Sequence, residues 1–184
     1  MLISGNKNKG LAQSLYTLYP TATFCSRATG YELTDTTDME RFAKLSTQHE
    51  VIIVNSALWR FHQSVLLDLV YKACVSAQHK AHIVVIGSTT DRVCNGKAWL
   101  YNAEKKALRD YSNTLAIGGV WGDHAPKVSY ISFGTLSNNQ HKHPDRKCLD
   151  IDAAACYIKW IIDQPRHLNI NEISVDPMQD NSWY

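Results

Sequence analysis

The stretch Ala81-His82-Ile83-Val84-Val85-Ile86-Gly87-Ser88-Thr89-Thr90 decides how this chain folds. Ile83 to Ile86 are four branched aliphatic residues in a row, so neither face of the segment is polar. A strand with water on one side alternates; a strand apolar on both sides is covered on both, as in a parallel sheet. The run Ala81–Gly87 is therefore read as a buried parallel strand. The same solid run recurs upstream in Val51-Ile52-Ile53-Val54, within a strand over Glu50–Asn55. Between the two lies a long helical stretch, Gln63–Ala77.

Further outward the alternation continues. Thr21–Ser26 reads as a strand from its β-branched and aromatic content and Lys127–Ser132 from its alternation, with Met1–Ser4 and Glu172–Val175, closed by Pro177, as short strands at either end. Gly10–Leu18 reads as a helix, with Leu11, Leu15 and Leu18 at helical spacing. Asp35–Leu45 is a helix with its cap expected at Thr36 or Thr37. Ala98–Ala116 and Ile151–Asp163 complete the set, the latter ended by Gln164-Pro165. Strands alternating with helices predict an α/β architecture: a three-layer Rossmann fold, a doubly wound parallel sheet of about six strands flanked by helices. Residues 1–184 are expected to form one domain. In such folds ligands meet the carboxyl ends of the strands. The residues just after each apolar run are therefore the candidates for function.

Bulk properties exclude several classes. Hydrophobic residues are 45% and charged residues 20%, ordinary for a globular protein. A net charge of +2 gives no argument for nucleic acid. No apolar run approaches the ~20 residues that span a bilayer. Met1-Leu2-Ile3-Ser4-Gly5 lacks the pattern of a signal peptide, so a cytoplasmic location is expected. The five cysteines, Cys25, Cys74, Cys94, Cys148 and Cys156, are scattered and read as reduced thiols, most of them buried. His141, His143 and Cys148 are too loosely spaced for a metal site, and none is expected.

The strand ends carry chemistry. After the first strand, Gly5 to Gly10 can bring backbone close to a pyrophosphate at the start of the following helix. Asn6, Lys7, Lys9 and Leu11 belong to that loop, and the two lysines add positive charge. The plain alternative is a strand-to-helix turn. After the second strand come Ser26 and Arg27. An acid here would accept from adenosine ribose hydroxyls, whereas an arginine fits a 2′-phosphate, so the electrostatics favour NADP over NAD. A surface arginine is the competing reading. Asn55, Ser56 and Ala57 follow the third strand; small residues let a ligand lie against backbone, and the Asn amide can tie strands together. After the fourth strand comes Ser88. Tyr101 lies thirteen residues on and Lys105 four further, on one helix face. A neighbouring ammonium favours phenolate and lowers a tyrosine's pKa, making it a better acid or base.

In order, these motifs resemble the short-chain dehydrogenase/reductase family. Ser4-Gly5 through Gly10-Leu11-Ala12 is similar to its glycine-rich loop, and Asn55-Ser56-Ala57-Leu58 to its Asn-Asn-Ala-Gly. Ser88 and Tyr101-Asn102-Ala103-Glu104-Lys105 are similar to its catalytic Ser and Tyr-x-x-x-Lys, and Phe133-Gly134 to its Pro-Gly. The resemblance implies catalysis by Ser88, Tyr101 and Lys105: Tyr101 as acid/base, Lys105 on the nicotinamide ribose, Ser88 on the substrate oxygen. It implies that Gly5 and Gly10 line the pyrophosphate. Glu32 and Leu33 would contact adenine, with Asn55 and Ala57 flanking the adenosine side. Ile131 would offer backbone to the carboxamide, and Gly134 would belong to the cofactor site.

It further implies hydride transfer between NADP(H) and a small carbonyl or alcohol, in a homodimer or homotetramer paired through the helices Gln63–Ala77 and Ala98–Ala116. The departures are a longer glycine loop, Ala12 and Leu58 for glycines, Phe133 for proline, and Gln63 beside His62 for the family's relay Asn. These keep open a second reading, a non-catalytic dinucleotide sensor on the same fold. Substrate specificity is expected from Trp59, Phe61, Trp99, Phe133 and the polar segment Leu136–Asp150.

Overall fold

The computed structural model describes residues 1–92, 99–121 and 125–179, the side chains of residues 120 and 121 aside. Six strands, β1 (Leu2–Ser4), β2 (Thr23–Cys25), β3 (Val51–Val54), β4 (His82–Ile86), β5 (Lys127–Phe133) and β6 (Glu172–Val175), form one sheet in the order β2-β1-β3-β4-β5-β6. Every pairing is parallel. Five helices connect them: α1 (Gly10–Leu18), α2 (Thr36–Ser46), α3 (His62–Ser76), α4 (Leu100–Trp121) and α5 (Ile151–Ile162). This is the doubly wound α/β fold that the aliphatic runs predicted.

The two faces of the sheet are read directly from alternation along the strands. Leu2, Ile52, Val54, Ile83, Val85, Val128 and Tyr130 point to one side, where Met39 and Phe42 of α2, Leu66 and Val70 of α3 and Leu108 of α4 cover them. Ile3, Ile53, Val84, Ile86, Ile131 and Phe133 point to the other, against Leu11 and Leu15 of α1 and Ile158 and Ile161 of α5. Both faces are dry, which is why β3 and β4 have no polar alternation.

Local chemistry sets the boundaries. Asp35, rather than Thr36 or Thr37, caps α2: its carboxylate accepts from the N–H groups of Thr37 and Asp38. Asp150 does the same for α5 with Asp152 and Ala153. The second strand is shorter than Thr21–Ser26. Pairing begins at Thr23, and the chain leaves the sheet at Ser26, whose N–H donates to Thr29 Oγ1 at 2.9 Å in a tight 3₁₀ turn over Arg27–Thr29. The fourth helix continues past Ala116, through Gly118-Gly119, to Trp121. A helical glycine costs about 1 kcal/mol, too little to end a long helix packed on β5. Its expected first residue, Ala98, and Cys94 lie outside the described residues. Of the other cysteines, Cys25 and Cys74 are buried, whereas Cys148 is half-buried and Cys156 exposed. Part of the polar segment forms a 3₁₀ turn, Ser137–Lys142. Among the described residues, no helix is long and apolar enough to cross a membrane.

Candidate active site

The strand order reverses beside β1: β2 lies on one side of it and β3 on the other. A crevice opens there at the carboxyl ends of the strands. It is a cleft of about 1010 Å³. Gly5, Asn6, Lys9, Gly10 and Leu11 line it after β1, Ser26, Arg27, Glu32 and Leu33 after β2, and Asn55, Ser56 and Ala57 after β3. Twelve candidates from three separate stretches therefore meet in one place. Ala28, Tyr31, Thr34, Leu58, Arg60, His62 and Asn138 line it too, without having been singled out for it, as does Trp59.

Two strand ends are tied across the mouth. The Ser4 hydroxyl, fully buried, accepts from the N–H groups of Asn55 and Ser56 at 2.9 and 3.0 Å. Asn55 Nδ2 donates back to the Ser4 carbonyl at 3.2 Å. Gly5 sits against this clasp with φ of +152°, and a side chain there would lie 2.8 Å from Asn55 Nδ2. Only glycine fits, and the floor of the cleft stays bare backbone. α1 begins just beyond with no side-chain cap and no acid in its first turn, so its free N–H groups face an open cleft.

Charge at the adenosine end is mixed. The Arg27 side chain is 85% exposed, with its Nε 3.7 Å from Glu32 Oε2. Glu32 also accepts from Thr34 Oγ1 at 2.8 Å. Lys7 does not line the cleft; its ammonium stands 5.0 Å over the Tyr16 ring. Ile131 is wholly buried in the β5 core. Gly134 is packed by the chain after β6, where a side chain would meet Asp176 and Pro177 at 2.7 Å.

The candidate catalytic set does not line this cleft; Tyr101 reaches it through a ring contact with Trp59. Ser88 follows β4 directly, and its Oγ is 2.5 Å from Thr90 Oγ1. Tyr101 and Lys105 share the inner face of α4, with Lys105 Nζ 5.4 Å from the Tyr101 ring centroid. The phenol ring contacts two indoles in tilted geometry, Trp59 at 5.1 Å and Trp99 at 5.4 Å. Both indoles are open to solvent, 60% and 48% exposed. Lys105 is buried, and its ammonium donates to Gln63 Oε1 at 2.6 Å. Gln63 is itself fixed: its Nε2 donates to the carbonyls of Val54 and Ile86, at 3.2 and 2.9 Å. The side chain proposed from sequence as the relay counterpart thus bridges the ends of β3 and β4 and reaches the lysine directly.

Burial dominates the electrostatics here. It pushes the Lys105 pKa down to about 8, against the opposing pull of Glu104 and Asp91. The Tyr101 phenol is held above its usual value, again mainly by burial, although Ser88 draws it back. Sequence reasoning expected Lys105 to lower that pKa. The geometry gives the reason it does not: the ammonium lies over the ring and is engaged by Gln63.

Two buried carboxylates were missed altogether. Asp91 Oδ2 accepts from Tyr130 Oη at 2.8 Å and Ser132 Oγ at 3.1 Å, beneath the Ser88 turn. Glu104 Oε1 accepts the Arg60 N–H at 2.7 Å. Arg60 and Phe61 both have positive φ, so Glu104 holds a strained bend that carries Trp59. No sequence signal marks either acid as buried; each stands in a polar neighbourhood.

No family model matches the sequence, and no curated protein matches it. Solved structures do. The closed form of a serine dehydrogenase complexed with NADP+ superposes with a TM-score of 0.72 at 13% identity, covering 95% of this chain and 94% of that one. Acetoin dehydrogenase from Enterobacter cloacae gives 0.73 at 14%, covering 96% and 93%. A short-chain dehydrogenase/reductase from Brucella melitensis gives 0.70 at 14%, covering 95% and 94%. The chain has the fold of the short-chain dehydrogenase/reductases.

Proposed function

We propose that this protein is an NADP-dependent oxidoreductase of the short-chain dehydrogenase/reductase kind, a single domain acting on a small carbonyl or alcohol. The observation that carries this reading is the meeting of Ser88, Tyr101, Lys105 and Gln63 beside Trp59, a residue of the cleft wall.

The cleft fits a dinucleotide. Its volume suffices, Gly5 leaves its floor bare, and the uncapped start of α1 suits a pyrophosphate. NADP would supply the hydride donor or acceptor. In the reductive direction the Tyr101 hydroxyl gives its proton to the carbonyl oxygen, which the Ser88 hydroxyl holds. Below pH about 8 Lys105 is an ammonium and can donate to the cofactor. One of its three donors is taken by Gln63, leaving two for the ribose hydroxyls. Arg27 meets the 2′-phosphate by giving up its long contact with Glu32. The protein pairs with itself through α3 and α4, where Val65 and Ile117 are exposed.

Two observations favour a non-catalytic dinucleotide sensor: burial raises the Tyr101 pKa, and two indoles contact its ring. Turnover separates the two readings. NADPH oxidation across a panel of small aldehydes and ketones is expected to fall by about 10²–10⁴-fold in Tyr101→Phe, with cofactor binding retained. Cofactor binding without turnover in either protein assigns the sensor role instead.

A further inference from the structure

We propose that a second pocket, at the amino-terminal edge of the sheet, binds a small phosphate-bearing molecule. This cavity of about 380 Å³ lies where β4 and β5 begin and the chain leaves α5. It is separate from the cleft above: His82 opens β4, and Ser88 lies beyond the other end of that strand, roughly 20 Å away at the rise of a β-strand.

The lining charge is one-sided. Among the described residues, Lys80, Lys127 and Arg166, with the imidazoles of His82 and His167, line the cavity together with one carboxylate, Glu50. Lys127 is the informative member. It is the first residue of β5, half-buried, and its ammonium has no hydrogen-bond or ion-pair partner among the described residues. Burial, and then the nearby Arg166 guanidinium, depress its pKa. His82 is driven down further, to about 3, by burial and then by Lys127 and Arg166. It stays neutral, sharing a hydrogen bond of 2.9 Å with Ser129 Oγ.

Cations at helix carboxyl ends are commonplace, because they complement the macrodipole. That accounts for the exposed Arg166, which follows α5 and also donates to the Lys80 carbonyl. It does not account for Lys127, which opens a strand and is crowded by like charge. Like charges crowded in a half-buried site repel one another, and a bound anion relieves that repulsion. An arginine fork beside a lysine suits a tetrahedral oxyanion, and a phosphomonoester carries nearly two negative charges at neutral pH. The cavity exceeds bare phosphate in size, and Val51 and Ile162 give the organic part an apolar wall.

The test titrates the full chain with inorganic phosphate at ionic strength held constant with chloride. Melting temperature and the imidazole NMR signals of His82 and His167 are followed. The expected result is a saturable rise in melting temperature with shifts at both histidines. Apparent affinity should fall at least tenfold in Lys127→Met and in Arg166→Gln, and be kept in Arg27→Gln. If Lys127→Met does not fold, Arg166→Gln decides, because its side chain is on the surface. The proposal is overturned by no saturable response, by a response unchanged in the pocket variants, or by one lost in Arg27→Gln alone, which puts the anion in the nucleotide cleft.

Discussion

Gln63 and Lys105 meet at 2.6 Å, oxygen to ammonium, and the glutamine's other end is held by the carbonyls of Val54 and Ile86. Its amide therefore has one orientation. The donors serve the two strand ends, and the acceptor faces the lysine. One side chain thus bonds three groups: the carbonyls of Val54 and Ile86 and the Lys105 ammonium.

Gln63→Leu keeps the approximate shape and removes every one of these bonds. It is expected to cost about 1–3 kcal/mol per polar group left unpaired, reduced by whatever relaxation follows. Chemical denaturation measures this. Stability equal to wild type would show that the bridge contributes nothing.

Gly87 and Tyr130 make a second pairing that tolerates no change. A methyl group on Gly87 would sit 1.8 Å from Tyr130 Oη and 2.0 Å from the ring carbon bearing it. Tyr130 cannot retreat, because its hydroxyl is bonded to the buried Asp91. Gly87→Ala should therefore be destabilised by about 3 kcal/mol or more, in the range of severe overpacking. A melting curve within a few degrees of wild type would contradict it.

His82 gives a pH dependence with a definite sign. Its folded pKa is depressed to about 3, against about 6.5 unfolded. Between those values the unfolded chain binds the proton and the folded one does not, so stability falls as pH drops through that window. The stability present above pH ~6.5 is lost progressively below it. His82→Gln should flatten that part of the stability–pH curve measured by urea unfolding. An unchanged slope would show that His82 titrates normally.

Much of this architecture was legible in the chain. Val51–Val54 and Ile83–Ile86 are apolar on both faces because helices cover both, so the parallel sheet could be read from them alone. Glu172–Val175 was placed to the residue. The cleft was legible because each of its walls follows a strand. Less visible were features that depend on three dimensions. The burial of Asp91 and Glu104 arises from the Ser88 turn and the Arg60–Phe61 bend, which bring distant donors to them. The position of Lys105 over the ring, rather than beside the hydroxyl, depends on Gln63, contributed by another helix. Spacing along one helix contains no information about that.

The measurement that bears most directly on the central claim is a titration of the purified chain with NADPH and with NADH, followed by quenching of tryptophan fluorescence. Trp59 lines the cleft and is in contact with Tyr101, so occupancy should be visible there. The account predicts saturable quenching by both dinucleotides, tighter for NADPH by about tenfold or more, with that preference lost in Arg27→Ala. Absence of saturable binding by either dinucleotide would contradict it.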